Sequence, residues 1–333
     1  MTTSENKIEI NTTDVVITGG AGAIGSRLTR RLLQEGARSI TVVDDLSSGY
    51  EWLLPQDERL QFIKADVCDL SRLAIQDPQS LIFHLAGFFA NQNSVDHPLD
   101  DLHTNGQGTL TALMWAREHQ ARRFVYASAG CSIAGHGIDA PIREDMPVSL
   151  YLDTPYQITK ALGEFYCNYY LSWVSTVRAR FFNSYGPGEA PGAYRNAIPN
   201  FIWRALHDQP LIITGSGEET RDFIYVDDLV DGLIRCARTP AAHGEAFNLG
   251  TGIHTTIKAL ARIIIGASVS KSEIQFAPPR PWDKNPHRQA DIGLARSVLG
   301  FNPSVKIQEG IERTVAWFRE NYDKIESIER ARL

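Results

Sequence analysis

The feature that most constrains this chain is the stretch V-V-I-T-G-G-A-G-A-I-G, from Val15 to Gly25. Its β-branched beginning is typical of a short buried strand, and the amphipathic run S-R-L-T-R-R-L-L-Q-E after it is typical of a helix. Gly19, Gly22 and Gly25 lie between the two at three-residue spacing. Such glycines allow a tight turn, approach of the backbone to a pyrophosphate, and close packing of helix on strand. The stretch therefore predicts a phosphate-binding turn, with free N–H groups at the helix N-terminus.

An acidic residue follows at the spacing that such a turn requires. The next predicted strand, residues 40–43, ends at Asp44, which lies 19 residues after Gly25. A carboxylate at this place can hydrogen-bond both hydroxyls of a ribose, and it repels a 2′-phosphate. The sequence therefore predicts a dinucleotide site that prefers NAD to NADP.

Strand and helix patterns alternate through the first half of the chain. Further strands are predicted at 61–63, 81–85, 121–128 and 176–182, and helices at 98–118 and 155–171. This order predicts an α/β fold, a Rossmann-type doubly wound parallel sheet with its ligand crevice at the carboxyl ends of the strands.

The second half has a different composition, because it becomes rich in Gly, Pro and Asn after residue 182. It contains a predicted helix at 198–208, a strand at 211–214, a helix with Asp227 as its N-cap, and a strand at 247–250. Too few strand–helix units remain for a second nucleotide fold, so we expect a smaller C-terminal α/β substrate lobe. We expect a domain for NAD at 14–182, to which 221–252 returns, a lobe of 183–220 and 253–333, and a flexible leader at 1–13.

Composition narrows the classes of partner. The net charge of −6 gives no basic surface for nucleic acid, and no apolar run is long enough to cross a bilayer. The four cysteines show no paired metal spacing, so we expect no metal. No signal peptide is recognisable, which predicts reduced thiols and a cytoplasmic protein.

The residues that point to chemistry are Tyr156 and Lys160, in the sequence P-Y-Q-I-T-K. Their four-residue spacing on a predicted helix places both side chains on one face. A phenol is a poor base at neutral pH, and a nearby cation lowers its pKa by stabilising the phenolate. The pair is therefore predicted to exchange protons with a bound substrate.

These motifs, together with A-D-V, H-L-A-G, R-F-F-N-S-Y-G-P, R-D-F-I-Y-V-D-D and R-P-W-D, resemble the extended short-chain dehydrogenase/reductases. The resemblance is to the NAD-dependent epimerase/dehydratase family that acts on nucleotide sugars, and it covers about residues 14–317. V-V-D-D-L-S-S-G is especially similar to the version in UDP-galactose 4-epimerases, which have Asn where this chain has Asp45.

The resemblance implies NAD as the cofactor and assigns residues to it and to a nucleotide sugar. For NAD it implies Gly19, Gly22, Ala23, Ile24, Gly25, Asp44, Asp45, Ser48, Asp66, Val67, Leu85, Ala86, Gly87, Asn105, Tyr156 and Lys160. For the substrate it implies Asn91, Ser94, Asn183, Asn200, Arg221, Arg280, Asp283 and His287. Arginine forks suit phosphate oxygens, which independently favours a diphosphate at Arg221 and Arg280.

One loop departs from the family. Relatives place a Ser or Thr hydroxyl before the tyrosine in a loop such as S-S-S-A-T-V-Y-G, whereas this chain reads Y-A-S-A-G-C-S-I-A-G. Ser128, Cys131 or Ser132 can take that catalytic role, and we favour Ser132, then Ser128. The same loop carries an Asp-Glu pair in sugar 4,6-dehydratases and a glutamate in UDP-glucuronate decarboxylases, but no carboxylate here.

Elimination or decarboxylation without a placed acid and base is slow, so the missing carboxylate favours epimerisation at carbon 4. The alternatives are a 4,6-dehydratase, decarboxylase or ketoreductase, or a non-catalytic dinucleotide-binding sensor or scaffold. UDP is favoured by motif similarity alone.

His287 matches a position that controls tolerance of an N-acetyl group in related 4-epimerases. Its neighbour Arg288 either pairs with a sugar carboxylate or faces water, and we expect the latter. The family also implies a homodimer formed by the helices near 98–118 and 155–171.

Overall fold

The architecture is known from a computed structural model that describes residues 7–75, 80–135 and 141–331, and of Ser132 only the backbone. The strands are β1 Asp14–Thr18, β2 Ser39–Asp44, β3 Leu60–Lys64, β4 Leu81–His84, β5 Arg123–Ala129, β6 Thr176–Phe181, β7 Asn183–Tyr185, β8 Leu211–Thr214, β9 Thr220–Tyr225, β10 Ala246–Leu249, β11 His254–Thr256, β12 Ile274–Ala277 and β13 His287–Arg288. The helices are α1 Ala23–Gln34, α2 Asn91–Asp96, α3 Pro98–Asp101, α4 Gly108–Glu118, α5 Gly130–Ile133, α6 Pro155–Tyr170, α7 Ala197–Leu206, α8 Val226–Arg238, α9 Ile257–Ser268, α10 Ile307–Glu320 and α11 Tyr322–Arg330.

The centre of the molecule is a seven-stranded sheet in the order β3-β2-β1-β4-β5-β6-β10, and all its neighbouring strands are parallel. Apolar side chains fill both faces, with α1 and α8 on one side and α4 and α6 on the other. The strand order reverses between β1 and β4, where a parallel sheet of this kind opens a crevice. The predicted doubly wound fold is confirmed.

The helix predicted at 98–118 is continuous but not uniform. Its middle, Leu102–Gln107, is π-helical and joins α3 to α4. A π-helical turn changes which side chains face the neighbouring elements, and such turns are frequent at functional sites. Here Asn105 lies in the π-helical turn and is buried.

The C-terminal lobe is built from two small sheets. β9 is flanked by β11 and β13 and also pairs with β7, while β8 pairs with β12. Helices α7, α9 and α10 cover them with a separate apolar cluster. The lobe therefore joins short segments that are far apart in the chain.

Two expectations about local structure are wrong. Ile8 and Ile10 are buried, and the N–H of Ile8 donates to Arg238 O at 3.4 Å, so the flexible leader predicted for 1–13 does not extend over residues 7–13; residues 1–6 lie outside the described part. Tyr225, rather than Asp227, is the N-cap of α8. Asp227 lies in the first turn, where it accepts from Arg27 at 2.6 Å.

No helix in the described ranges is both long and apolar enough to cross a membrane.

Candidate active site

The glycine-rich turn between β1 and α1 has the geometry of an anion cradle. Gly19 has a φ of +72°, and a side chain there would lie 2.5 Å from the backbone nitrogen of Ala86. A side chain at Gly25 would lie 2.3 Å from the carbonyl oxygen of Gly19. Gly22, the N-cap of α1, has no side chain that could cap the first amides of the helix, and unpaired amides at a helix N-terminus bind phosphate oxygens. These features fit the pyrophosphate of a dinucleotide.

Asp44 lies at the end of β2 beside this turn. Its carboxylate accepts from the N–H of Ala21 at 2.9 Å and from the N–H of Leu46 at 2.8 Å. Burial raises its pKa, and these N–H groups oppose the rise. Asp45 is engaged with Ser47, and the carbonyl of Ser48 accepts from Arg195. The carboxylate of Asp44 is thus fixed next to the turn, as the resemblance implies for a ribose ligand.

Asp66 and Val67 follow β3 on the same edge of the sheet. Asp66 accepts from the N–H of Cys68 at 2.7 Å and contacts His103 Nε2 at 2.9 Å. Although burial opposes it, these hydrogen bonds lower the pKa of Asp66. Val67 packs against Gly108, where any side chain would clash with it at 2.5 Å. His103 is a neighbour that the sequence pattern does not reveal, because the π-helical turn carries it there.

The loop after β4 contains Leu85, Ala86 and Gly87 and is held by Asn105. The N–H of Phe88 donates to Asn105 Oδ1 at 2.9 Å. Leu85 and Gly87 line a cavity of about 500 Å³ that also contains Gly19, Gly22, Ala23, Ile24 and Gly25. Asn105 therefore supports the loop after β4 from behind and is not among the residues that line that cavity.

Tyr156 and Lys160 lie one turn apart on α6, and both line the same cavity. Lys160 Nζ donates to Ala127 O at 3.1 Å and lies 5.7 Å from the centre of the Tyr156 ring. The edge of Phe89 packs against the Tyr156 ring, with the ring centres 6.2 Å apart. The pair is thus assembled at the carboxyl ends of β4 and β5.

The electrostatics of the pair differ from the expectation that a cation lowers the phenol pKa. Burial raises the pKa of Tyr156, and Cys131 and Asp101 add to the rise. Burial also lowers the pKa of Lys160 to about 8, while the charge of Asp101 opposes that fall. Desolvation is the largest cause of both pKa shifts because both groups are enclosed by protein.

The three candidates for the missing hydroxyl are placed differently. Ser128 Oγ donates to Glu164 at 2.6 Å, and Glu164 is a partner of Arg180 at 2.7 Å, so the Ser128 proton is committed to a buried ion pair. Cys131 is half-buried and lines the cavity beside Tyr156. The side chain of Ser132 lies outside the described part of the chain.

Arg221, Asp283 and Arg288 form an ion cluster at the other end of the cavity. Arg221 and Arg288 donate to opposite oxygens of Asp283 at 2.6 Å and 2.9 Å. Arg280 also lines the cavity, is exposed, and lies over the Trp282 ring at 5.5 Å. Burial lowers the pKa of Arg221, as does the charge of Arg288, but a guanidinium remains charged at any physiological pH. The cluster therefore suits a dianionic ligand.

The structure reverses the expected positions of His287 and Arg288 relative to the cavity. His287 is exposed, contacts Thr220 Oγ1 at 3.1 Å, and is not among the cavity-lining residues. Arg288 is only 6% exposed and lines the cavity, so the expectation that it faces water is wrong. The register of β13 against β9 is the cause, because it pairs Arg288 with Arg221 and His287 with Thr220.

The side chains predicted to contact the substrate through an amide or a hydroxyl group do not all line the cavity. Asn91, Asn183 and Asn200 line the cavity. Ser94 is fully buried, donates to Asn91 O at 2.7 Å and accepts from the N–H of Tyr156 at 3.0 Å. Ser94 therefore orients the start of α6 and is not exposed toward a sugar.

The segment that carries Arg280 and Asp283 is tied to the N-terminal half by contacts that the sequence pattern missed. Trp282 Nε1 donates to Gln92 Oε1 at 2.8 Å, and Asn285 Nδ2 donates to Gly135 O at 2.6 Å. Lys284 pairs with Asp153 at 2.9 Å. These contacts hold the segment across the cavity mouth.

Comparison with curated proteins places this architecture among enzymes of nucleotide-sugar metabolism. UDP-glucose 4-epimerase from Mycolicibacterium smegmatis is 38% identical over 311 residues, covering 91% of this chain and 98% of that protein. UDP-N-acetyl-alpha-D-glucosaminuronate decarboxylase from Bacillus cytotoxicus is 30% identical over 318 residues, covering 92% of this chain and 97% of that protein. Relatives with different reactions therefore share nearly the whole chain.

Solved structures agree with the fold. Epimerase Mth375 from Methanothermobacter thermautotrophicus has a TM-score of 0.91 at 44% identity, with 96% of this chain and 95% of that chain covered. The Bordetella bronchiseptica enzyme WbmF, in complex with NAD+ and UDP, has a TM-score of 0.83 at 34% identity, with 97% and 96% covered. Residues 15–250 match the model of the NAD dependent epimerase/dehydratase family. With this match and the cradle for a dinucleotide, the chain belongs to the NAD dependent epimerase/dehydratase family, and its cofactor is NAD.

Proposed function

We propose that this chain is an NAD-dependent 4-epimerase of a nucleotide sugar, with UDP as the nucleotide. The observation that carries the proposal is the turn after β5, where Gly130–Ile133 brings Cys131 and no carboxylate to the cavity beside Tyr156. Dehydration and decarboxylation need a placed acid or base in that region, whereas epimerisation at carbon 4 needs one group that exchanges a proton.

In this proposal, Tyr156 is the proton-exchanging group. Burial raises the pKa of Tyr156 in the chain without cofactor, so in this proposal the phenolate forms beside the positive charges of Lys160 and bound NAD. The phenolate removes the proton of the sugar 4-hydroxyl as carbon 4 becomes a ketone, and the resulting phenol later returns a proton to the 4-oxygen. NAD, when bound by the residues of the turn and by Asp44, supplies the acceptor for the hydride of carbon 4 and its return to the opposite face. Lys160 adds a positive charge near the phenol and near the position that the family gives to the nicotinamide ribose.

The nucleotide must stay bound while the sugar turns over between the two transfers. We assign Arg221 and Arg280 to the diphosphate, Asp283 to the nucleoside ribose, and Asn183 to the diphosphate as a neutral donor. Arg288, whose Nε is buried without a hydrogen-bond partner among the described residues, is a further donor in this region. UDP is supported by the WbmF complex and by the name of the M. smegmatis relative.

We further propose the domain division given above, with 14–182 and most of 221–252 around NAD, and with 183–220 and 253–333 around the sugar nucleotide. The strand β9, Thr220–Tyr225, is the correction to that division, because it pairs with β7, β11 and β13 and so belongs to the lobe.

We also propose a homodimer. Its support is an exposed apolar face on α3, the π-helical turn, α4 and α6, formed by Leu99, Leu102, Met114, Ile158, Phe165 and Tyr169. A two-fold axis would place this face against its own copy. Light scattering at micromolar concentration should give twice the chain mass, and the double variant F165E/Y169E should give a monomer.

The experiment that tests the reaction is an incubation without added NAD, read by proton NMR. UDP-glucose, UDP-glucuronate and UDP-N-acetylglucosamine are supplied separately, with Y156F as the inactive control. A new anomeric signal for the 4-epimer, at constant total sugar nucleotide, supports the proposal and identifies the sugar. Release of carbon dioxide, accumulation of a 4-keto product, or no change in any arm after NAD is added contradicts it.

A further inference from the structure

Lys160 carries a buried positive charge, and no acidic side chain in the described part of the chain pairs with it directly. Its side chain is 5% exposed, and Ala127 O is the one hydrogen-bond acceptor that Nζ reaches among the described residues. An ammonium has three N–H donors, and a buried charge is costly unless another charge or several hydrogen bonds compensate it. The structure around Lys160 should therefore contain a compensating anion.

The ionisable groups that face Lys160 from the neighbouring strands are neutral. Burial, and then the charge of Lys160, lower the pKa of His84 to about 3, and its two ring nitrogens bind the hydroxyls of Thr18 and Thr109. Tyr126, 5.4 Å from Nζ by its ring centre, has its pKa raised by burial. Neither β4 nor β5 therefore supplies a negative charge.

The groups on α6 do not supply one either. Burial raises the pKa of Tyr156, which keeps its phenol protonated at neutral pH. Glu164, one turn beyond Lys160, is held by Arg180 through two hydrogen bonds of 2.8 Å and 2.7 Å. Its charge is already compensated.

Asp101, the last residue of α3, is the remaining acidic group. Burial raises the pKa of its carboxyl, and the hydrogen bonds from Thr159 and Asn105, then the charge of Lys160, oppose that rise. Its carboxylate is fully buried and accepts from Asn105 Nδ2 at 2.7 Å and from Thr159 Oγ1 at 2.8 Å. Both donors are neutral, and no Lys, Arg or His in the described ranges lies within ion-pair distance of it. Neutral hydrogen bonds solvate a carboxylate but leave its net charge unbalanced.

The contacts of Asp101 lead directly to Lys160. Thr159 precedes Lys160 on α6, and Asn105 binds the loop that contains Gly87. A side chain at Gly87 would lie 3.1 Å from Lys160 Nζ and 3.2 Å from Asn105 Oδ1. A series of neighbours therefore connects Asp101 with the ammonium of Lys160. It runs from Asp101 to Asn105 and then to the backbone of Gly87, where α6 meets the loop after β4.

We propose that Asp101 is the buried counter-charge of Lys160 and a positioning residue for the Tyr156–Lys160 pair. Its negative charge favours the protonated lysine, and its bonds to Thr159 and Asn105 hold α6 against the loop after β4. The lysine charge is then maintained without a direct ion pair, which leaves the N–H donors of Nζ free to face the cavity. The inference rests on the proposed function only in giving Lys160 a role in that reaction.

The test is a pH titration of Lys160 in the NAD-loaded enzyme, followed by NMR of ¹³C-ε-lysine and assigned with K160M. D101N removes the charge and keeps the side-chain size, while D100N removes an exposed charge from the preceding residue as the matched control. An opposite charge close to a titrating group typically shifts its pKa by about 1 to 3 units. We expect D101N to lower the midpoint of Lys160 by about one pH unit, a tenfold change in proton affinity, and D100N to leave it unchanged.

A second variant keeps the proposal testable where D101N does not fold. T159V removes a hydrogen bond that lowers the pKa of the Asp101 carboxyl, so Asp101 is less readily ionised, and the Lys160 midpoint should fall by less than in D101N. A folded D101N or T159V with the wild-type midpoint, or with a raised one, overturns the proposal. No sugar is converted in the titration, so a failure of 4-epimerisation leaves its outcome untouched.

Discussion

The two ends of the cavity hold their cations in different ways. At the end formed by the glycine turn and α6, Lys160 donates to a neutral carbonyl, and Asp101 lies behind Asn105 and Thr159. At the end that we propose for the nucleotide, Arg221 and Arg288 share the carboxylate of Asp283 in direct ion pairs. A buried lysine can lose its proton near neutral pH, whereas a guanidinium keeps its charge and presents a rigid fork. The first arrangement suits proton exchange, and the second suits a fixed grip on phosphate oxygens.

The largest expected effect is the loss of the phenol at the first of these ends. Y156F should reduce turnover by about 10² to 10⁴-fold, the usual contribution of a positioned acid or base, and should change KM far less. Steady-state kinetics by NMR measures both quantities, and the NAD content of the purified variant provides the control. Near wild-type turnover of Y156F would show that Tyr156 is not the group that exchanges the proton.

The next prediction concerns the stability cost of Lys160. Burial lowers its pKa from 10.5 to about 8, so the unfolded chain binds this proton more tightly than the folded chain. The charged lysine therefore destabilises the fold below about pH 8, and the penalty falls as the pH rises toward 10.5. K160M should raise the free energy of unfolding of the NAD-free protein at pH 7 by an amount on the order of 3 kcal/mol, because each unit of pKa corresponds to about 1.4 kcal/mol.

Urea unfolding of the wild type and K160M at pH 7 and pH 10 measures this difference. The gap between the two proteins should narrow at the higher pH, because the wild-type lysine is then neutral in the folded state. A gap that widens with pH would show that the sign is reversed, and that the surroundings of Lys160 favour its charge more strongly than burial opposes it.

At the end that we propose for the nucleotide, removal of a guanidinium should weaken nucleotide binding. R221A should raise the Kd for UDP about 10 to 100-fold, because hydrogen bonds to charged groups contribute about 1.5 to 3 kcal/mol each. R221K keeps the charge but not the planar fork, so its loss should be intermediate. Calorimetric titration measures the Kd for UDP of the wild type, R221A and R221K. Equal affinities for R221A and the wild type would show that Arg221 does not bind the diphosphate.

The smallest effect is expected at Ser128. Its hydroxyl donates to Glu164, so S128A should lower the free energy of unfolding by about 1 kcal/mol and leave turnover close to that of the wild type. S132A, at the residue favoured by the sequence, should lower turnover more. A strong loss of turnover in a stable S128A protein would show that this hydroxyl, and not Ser132, serves the reaction.

Much of the cofactor side could be predicted because its signals are local. The strand, glycine turn and helix of residues 14–34 lie within one short stretch, and the alternation of strands and helices restricts a parallel sheet to few topologies. The i, i+4 spacing of Tyr156 and Lys160 likewise fixes their common face on a helix. For these residues, backbone geometry over a few positions decides the outcome.

Electrostatics and register could not be predicted in this way. The pKa of Tyr156 depends on how completely the surrounding elements exclude water, which no spacing of charges along the chain reveals. Arg288, rather than the predicted His287, lines the cavity because of the register of a two-residue strand. A shift of that register by one residue reverses which side chain faces inward.

The sequence by itself therefore determined the family, the dinucleotide turn and the Tyr156–Lys160 pair, because each is encoded by neighbouring residues. Only the tertiary structure decided that Asp283 joins Arg221 to Arg288, and that Asp101 lies behind Lys160 through Asn105 and Thr159. Residues in these contacts are separated by up to 62 positions along the chain. Their pairing follows from packing and the π-helical turn, which bring together charges that local sequence leaves independent.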